Sequence, residues 1–301
     1  MRPEDTEKTL PDLRPLLSHF NDFLGDMEEK REGKGLIYST SLDKVDYFTG
    51  GLDKGEIMTI GGLTGAGKTT LAMQMAFGLA DIHKNILYLS LEMTPAKLAG
   101  RLFCNQADVD NQFIRTGLAI EKDYPEKLDL FKKTIAGTDL QIIKSGYDFQ
   151  EIVDIIKTGY QGKKPDVLFI DFIQNIRWGG RRTQNEAIVQ YIRDLSELSQ
   201  TYGTSIVLVS QIRRSGDSSQ TRKPTMFDLL GSGSIEQASA IVLIIYKKIS
   251  EYTVTEINET GRHFVKKEKI TYHLSIEKNR QGEITEVPIN FMGRFYKMEE
   301  I

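Results

Sequence analysis

The chain has a single cysteine, Cys104, and a single tryptophan, Trp178, in 301 residues. One thiol excludes an internal disulfide and fits a reducing compartment. Cys104 closes the run Arg101-Leu-Phe-Cys104 on an expected helix, where a buried and inert thiol is the expectation. Long hydrophobic runs are missing too; the longest, Ala240 to Tyr246, is far too short to cross a membrane. The start, Met1-Arg-Pro-Glu-Asp-Thr-Glu, lacks the basic opening and apolar centre of a signal peptide and is too acidic for a mitochondrial presequence. A cytoplasmic location and no membrane association are therefore expected. Neither sign of charge dominates: 39 Lys and Arg against 42 Asp and Glu leave −3. Contact with nucleic acid would then need a local basic surface. There is no internal repeat and no low-complexity tract. What remains is the composition of a folded domain, 40% hydrophobic, long enough for one large domain with an appendage.

The most informative segment present is Gly62-Leu63-Thr64-Gly65-Ala66-Gly67-Lys68-Thr69, which matches G-x-x-x-x-G-K-[ST]. The β-prone run Ile57-Met-Thr-Ile60 precedes it, and a segment of helical spacing follows from Thr70 to Ala80. Glycines at this junction let backbone N–H groups turn toward phosphates, and the helix end adds partial positive charge. Lys68 can reach the β- and γ-phosphates, and the Thr69 hydroxyl can ligate Mg²⁺. The nucleotide-binding segment is then residues 62–70, ending on Thr70, with ATP and Mg²⁺ as the expected cofactors.

From about residue 36, strands and helices alternate as in a parallel sheet covered on both faces, an α/β class. Strands are expected at 56–61, 86–91, 140–143, 166–171, 204–210 and 241–246, and helices at 68–82, 94–105, 148–159 and 184–202. After 250 the pattern turns to β: 252–257, a turn at Asn258-Glu-Thr-Gly261, then 270–277, 284–291 and 294–298. A parallel sheet finishing in antiparallel strands resembles the RecA-like ATPase core. Residues 1–35 stand apart as a linker helix or tail, with 36–301 as the ATPase domain. Leu13, Leu16, Leu17, Phe20, Phe23, Leu24 and Met27 form one helical stripe that needs a partner surface, in its own domain or on a neighbouring subunit.

Val167-Leu-Phe-Ile-Asp171 is a buried strand ending in an acid, and Asp171 at the sheet's carboxyl edge can hold the Mg²⁺ shell. No second acid follows it, so the group that orients the attacking water lies elsewhere. Glu92, after the strand Ile86–Leu91, is the best candidate; a solvated strand-end acid is the alternative. Gln211 ends another strand, as a γ-phosphate sensor or as a plain cap. Two Gly- or Ser-rich loops carry clustered cations, Arg177, Arg181 and Arg182 in one and Arg213, Arg214, Arg222 and Lys223 in the other. Seven cations with only Asp217 between them suit phosphate tracking along a nucleic-acid strand, and Trp178 could stack on a base. Lys278 and Arg280, in Glu277-Lys-Asn-Arg-Gln-Gly282, share one face of an extended segment and could act as finger cations, in cis or from a neighbour.

These segments, in this order, resemble the C-terminal motor domain of DnaB-type replicative helicases over about residues 36–298. The residues that carry the likeness are Gly51-Leu-Asp-Lys-Gly-Glu56, the phosphate loop, Ser90-Leu-Glu-Met93, Ile114-Arg-Thr-Gly117, Asp171-Phe-Ile-Gln174, Val209-Ser-Gln-Ile212, Ser234-Ile-Glu-Gln237 and Lys278-Asn-Arg-Gln-Gly282. The resemblance implies a ring of six subunits that unwinds duplex DNA in replication, with nucleotide between neighbours. Glu92 would be the catalytic carboxylate, Gln211 the sensor, and Lys278 and Arg280 trans-acting groups. The two basic loops would line a channel around single-stranded DNA, and the helix over 11–31 would be the linker that docks on the next subunit. A primase or helicase loader is the implied protein partner, though the short segment before the motor leaves no sizeable N-terminal domain for docking. Two positions depart from the family pattern. Asp228-Leu-Leu-Gly-Ser-Gly233 stands where Asp-Leu-Arg-Glu-Ser-Gly is common, and Glu283 stands where Pro is expected. The first shifts the expected DNA grip onto Arg213, Arg214, Arg222 and Lys223. A RecA-like DNA-dependent ATPase of recombination or helicase loading, without unwinding, is the alternative reading.

Overall fold

Four strands of this chain, and the first six residues of a fifth, are apolar along nearly their whole length, and they can be buried only at the centre of a sheet covered on both faces. A computed structural model, which describes residues 15–31, 39–81, 85–117, 125–144, 148–177, 183–212, 222–258 and 261–301, places them there. The strands are β1 (Ile57–Gly62), β2 (Ile86–Ser90), β3 (Leu140–Lys144), β4 (Val167–Asp171), β5 (Ser205–Gln211), β6 (Ile241–Asn258), β7 (Gly261–Asn279), β8 (Glu286–Met292) and β9 (Lys297–Glu300). They form one sheet in the order β3-β2-β4-β5-β1-β6-β7-β8-β9. The pairs from β3 through β6 are parallel, and those from β6 through β9 are antiparallel. This is the mixed, mainly parallel sheet with antiparallel C-terminal strands that the sequence predicts.

Two periodicities divide the core. Leu87, Leu89, Leu168, Ile170, Ile206, Leu208, Val242 and Ile244 face one side, under α7 (Phe149–Thr158), α8 (Gln184–Tyr202) and α9 (Ser232–Ala238). The alternate side chains, Met58, Ile60, Tyr88, Phe169 and Val207, face the side where α3 (Lys68–Asp81) packs on the sheet. Next to α3 lie α4 (Pro95–Ala107) and then α5 (Asn111–Thr116) and α6 (Pro125–Ala136). The helix α2 (Asp43–Thr49) precedes β1. Its short length, like that of α5 and α9, left no periodic signature in the sequence. Local caps define the ends of the longer helices: Thr183 and Glu186 form a reciprocal capping box on α8, and Gly203 ends it in the left-handed region.

The end of the chain departs from expectation. Separate strands over 241–246 and 252–257 are one continuous strand, and β7 begins at the turn instead of at 270. Pairing runs unbroken from Ile241↔Asn279 to Asn258↔Gly261, with one register shift at Val242/Leu243. The intervening Lys247-Lys-Ile-Ser-Glu251 contains no proline or glycine, so nothing interrupts the hydrogen-bond ladder. Hydropathy falls there because the ribbon leaves the core. β8 covers β7 only from Tyr272 to Ser275.

The chain separates into two compact units, Met1–Ile37 and Tyr38–Ile301. In the first, the helix α1 spans Leu16–Arg31 and carries Leu16, Leu17, Phe20, Phe23, Leu24 and Met27, none of them covered within that unit. Leu13 lies outside the described residues.

Leu208, fully buried in the middle of β5, tests the placement of the core. Leu208→Ala is expected to destabilise the domain by about 2–5 kcal/mol, against under about 0.5 kcal/mol for Leu130→Ala on α6. Calorimetric melting of the two variants checks the contrast.

Candidate active site

The turn between β1 and α3 demands glycine on steric grounds. Gly65 and Gly67 have φ of +80° and +103°, conformations L side chains rarely adopt. A Cβ on Gly67 would also come to 2.9 Å from Met298 Cε, and one on Gly62 to 2.7 Å from the Ile245 carbonyl oxygen. The turn is closed by Ala66 N–H donating to Leu63 O at 3.1 Å, while Leu63, Thr64 and Gly65 stay exposed at its tip. Lys68 opens α3; it is 7% exposed and donates to the Leu63 carbonyl at 3.0 Å.

Parallel strands bring the other candidates to the same edge. Gly62 pairs with Gln211, Asp171 with Val209, and Ser90 with Asp171. Asp171 thus ends β4 beside the loop, and Glu92, two residues past Ser90, sits exposed in the bend after β2. Asp171 is 3% exposed; its Oδ2 accepts from the Tyr88 hydroxyl at 2.7 Å, and its Oδ1 is buried with no hydrogen-bond partner. Burial pushes the Asp171 carboxyl above its ordinary range, opposed by the hydroxyls of Tyr88 and Thr69 and the charge of Lys68. Thr69 acts on it from nearby, without the geometry of a formed hydrogen bond, since Oδ1 stays unpartnered. Burial lowers Lys68, against the attraction of Asp171 and Glu92. Burial also holds the Tyr88 phenol well above its ordinary value, so it stays a donor.

Lys68, Thr69, Glu92 and Asp171 therefore lie within electrostatic reach of one another. A buried unpartnered carboxylate oxygen beside a threonine hydroxyl is an oxygen donor set that suits Mg²⁺, and the glycine cradle suits phosphates.

Gln211 is fixed from two sides. Its backbone N–H donates to Gln174 Oε1 at 3.3 Å, and the next residue, Ile212, donates to Gly62 O at 3.3 Å. The Gln174 side-chain amide, on a residue 8% exposed, donates to Ser210 Oγ at 2.8 Å, and the Gln174 backbone carbonyl accepts from the Gln184 side-chain amide at the start of α8 at 2.9 Å. Gln174 is one of three residues whose place the sequence reading missed. The second is Tyr88; a tyrosine inside an apolar strand was the available signal. The third is Arg101 on α4, whose guanidinium lies 4.7 Å from the Tyr296 ring centroid and lines a cleft with Thr69, Thr70 and Gln74. No spacing rule points to it.

Lys278 and Arg280 are elsewhere. Lys278 donates to the Glu236 carbonyl and Arg280 to the Gln237 carbonyl at 3.0 Å, both at the end of α9. Arg280 N–H donates to Ala240 O and Ala240 N–H to Ile57 O, at 3.0 and 2.8 Å. Ile57 begins the strand that Gly62 ends, so the Arg280 backbone lies at the opposite edge of the sheet from the loop, about 17 Å along the strand direction, and Lys278 stands two residues before it, level with Thr59.

Both basic loops leave the carboxyl edge, after β4 and after β5. Arg177 is exposed. Arg222 is ion-paired with Asp228, and Lys223 with Glu277 at 3.1 Å and Glu286 at 3.5 Å. Arg181, Arg182, Arg213, Arg214 and Trp178 lie outside the described residues.

Because burial lowers Lys68, raising the pH should neutralise it sooner than an exposed lysine. Nucleotide affinity is expected to decline across the alkaline range and to do so less in Lys68→Arg, as read by nucleotide titration between neutral pH and about pH 10.

The fold has counterparts among known proteins. The chain is 25% identical over 276 residues to the replicative DNA helicase DnaB of Geobacillus stearothermophilus, covering 90% of this chain and 58% of that protein. It is 26% identical over 253 residues to a probable plasmid replicative DNA helicase of Chlamydia trachomatis serovar L2, covering 83% and 52%. It thus spans little more than half the length of these curated relatives. Among solved structures, an isolated ATPase domain aligns with a TM-score of 0.77 at 20% identity, over 94% of this chain and 98% of that one. A DnaB-like replicative helicase described with its interactions with primase aligns at 0.75 and 19%, over 93% and 66%. These two establish likeness of fold. The family described as DnaB-like helicase C terminal domain matches residues 38–300, and the chain belongs to that family.

Proposed function

We propose that this chain is the motor of an ATP-driven DNA helicase, which assembles as a six-membered ring, moves along single-stranded DNA and separates duplex in replication. One observation carries the proposal: the glycine loop, Asp171, Glu92 and Gln211 gather at the carboxyl edge of the sheet, while the Arg280 backbone sits about 17 Å along the strands at the other edge and Arg280 and Lys278 both turn to carbonyls at the end of α9. A protomer cannot bring these cations to its own phosphates. A neighbour in a head-to-tail ring can, because such an interface sets one edge of one copy against the other edge of the next.

In this reading residues 62–70 wrap the phosphates, and Lys68 leaves the Leu63 carbonyl to meet them. Thr69 and Asp171 would hold Mg²⁺, which when bound would supply charge neutralisation at the phosphates. Glu92 orients the attacking water. Lys278 and Arg280 of the neighbour stabilise the transferring phosphoryl group. Gln211 senses its departure and, through Gln174, is tied to both DNA-contacting loops: directly to that of Arg213, Arg214, Arg222 and Lys223, and by Gln184 to that of Arg177, Arg181 and Arg182. Residues 1–35 act as the linker and 36–301 as the motor. The uncovered stripe of α1 supports docking of the linker on the next copy. A primase or a helicase loader is the further partner we propose, acting in the cytoplasm of a bacterial or phage-infected cell.

Arg280→Ala should spare ATP binding and depress turnover by about 10³-fold or more, by ATPase assay and nucleotide titration side by side. Normal hydrolysis by this variant would remove its trans role. Mass measurement with a non-hydrolysable nucleotide should find six copies, and a strict monomer hydrolysing at full rate would overturn the reading. Strand displacement separates it from a DNA-stimulated ATPase that does not unwind.

A further inference from the structure

Tyr88 lies in the middle of β2, fully buried between layers, where phenylalanine would pack as well. It pairs in register with Phe169, and the two rings stack at 5.6 Å between centroids and 12° between planes. Asp171 is two residues beyond Phe169 on the same face of β4, the diagonal neighbour of Tyr88, at a separation a tyrosine side chain can bridge. The phenol reaches Asp171 Oδ2 at 2.7 Å. The other oxygen, Oδ1, is buried without a partner.

We propose that Tyr88 is a positioning residue for the magnesium site: its hydroxyl pins one oxygen of Asp171 so that the other is presented, beside Thr69, to the cation. The inference rests on reading this edge as a Mg·nucleotide site. A carboxylate at the end of a strand can rotate about its last torsion and exchange its two oxygens. A donor fixed on the neighbouring strand removes that freedom before any ligand arrives. The stack on Phe169 fixes the donor in turn. Partners of this kind set ligand orientation, and their loss commonly weakens metal binding by about 10–100-fold.

The test measures binding of a fluorescent ADP analogue to the full chain, with Mg²⁺ and with EDTA, so that the strengthening due to the metal is read without turnover. Tyr88→Phe keeps the ring and its stack and removes only the hydroxyl. It is expected to leave metal-free affinity unchanged and to cut the Mg²⁺ enhancement by about tenfold or more. Leu208→Ala, which touches neither Tyr88 nor Asp171, is the companion variant; it should lower the melting temperature and keep the enhancement. If Tyr88→Phe retains the full enhancement, or loses affinity equally with and without metal, the positioning role is overturned. Failure of Tyr88→Phe to fold would assign the hydroxyl to stability and overturn it as well. Wild-type protein that binds no nucleotide, or binds it indifferently to Mg²⁺, would instead sink the nucleotide-site reading, and this inference with it.

Discussion

A buried lysine and a buried aspartate face each other across the carboxyl edge of the sheet, and the rest of the site is arranged around their mutual dependence. Desolvation drives each toward its neutral form, and the charge of the other draws it back. Lys68 rests on the Leu63 carbonyl and Asp171 on the Tyr88 hydroxyl. Full ionisation of both is best satisfied by an occupant that brings negative phosphates to one and a cation to the other. A sheet buried on both faces has no other place for such groups, since only its edges reach water.

The same sheet sets Lys278 and Arg280 apart from the glycine loop. Parallel strands deliver their C-terminal residues to one edge, and an antiparallel strand delivers its own to the other. β7 runs against β6, so Lys278 and Arg280 emerge where β1 begins. Lys278 and Arg280 rest on carbonyls at the end of α9, where the helix dipole favours positive charge.

Much of the fold was legible because the strongest local signals were also the structurally decisive ones. The apolar runs ending in Ser90, Asp171 and Gln211 became strands at the expected places, since period and burial agree there. Short helices such as α2 and α9 were not legible, because one or two turns carry no period. The β6–β7 ribbon was read in pieces for the opposite reason: its ladder continues after its hydropathy has faded. Within the site, the loop, Asp171 and Glu92 were found from strand-end positions, whereas Gln174, Arg101 and Tyr88 act through side chains that cross between elements.

The sequence alone determined the glycine turn between β1 and α3, because eight consecutive residues and the strand and helix beside them fix that geometry locally: glycines where φ is positive, a lysine at the first helical turn, a hydroxyl next to it. Which edge holds the cations, which oxygen of Asp171 is free, and what ties Gln211 to both loops were decided only by tertiary structure. Those features depend on the direction and register of strands brought together from segments as far apart as Ile57 and Arg280, and no local preference encodes a pairing across that distance.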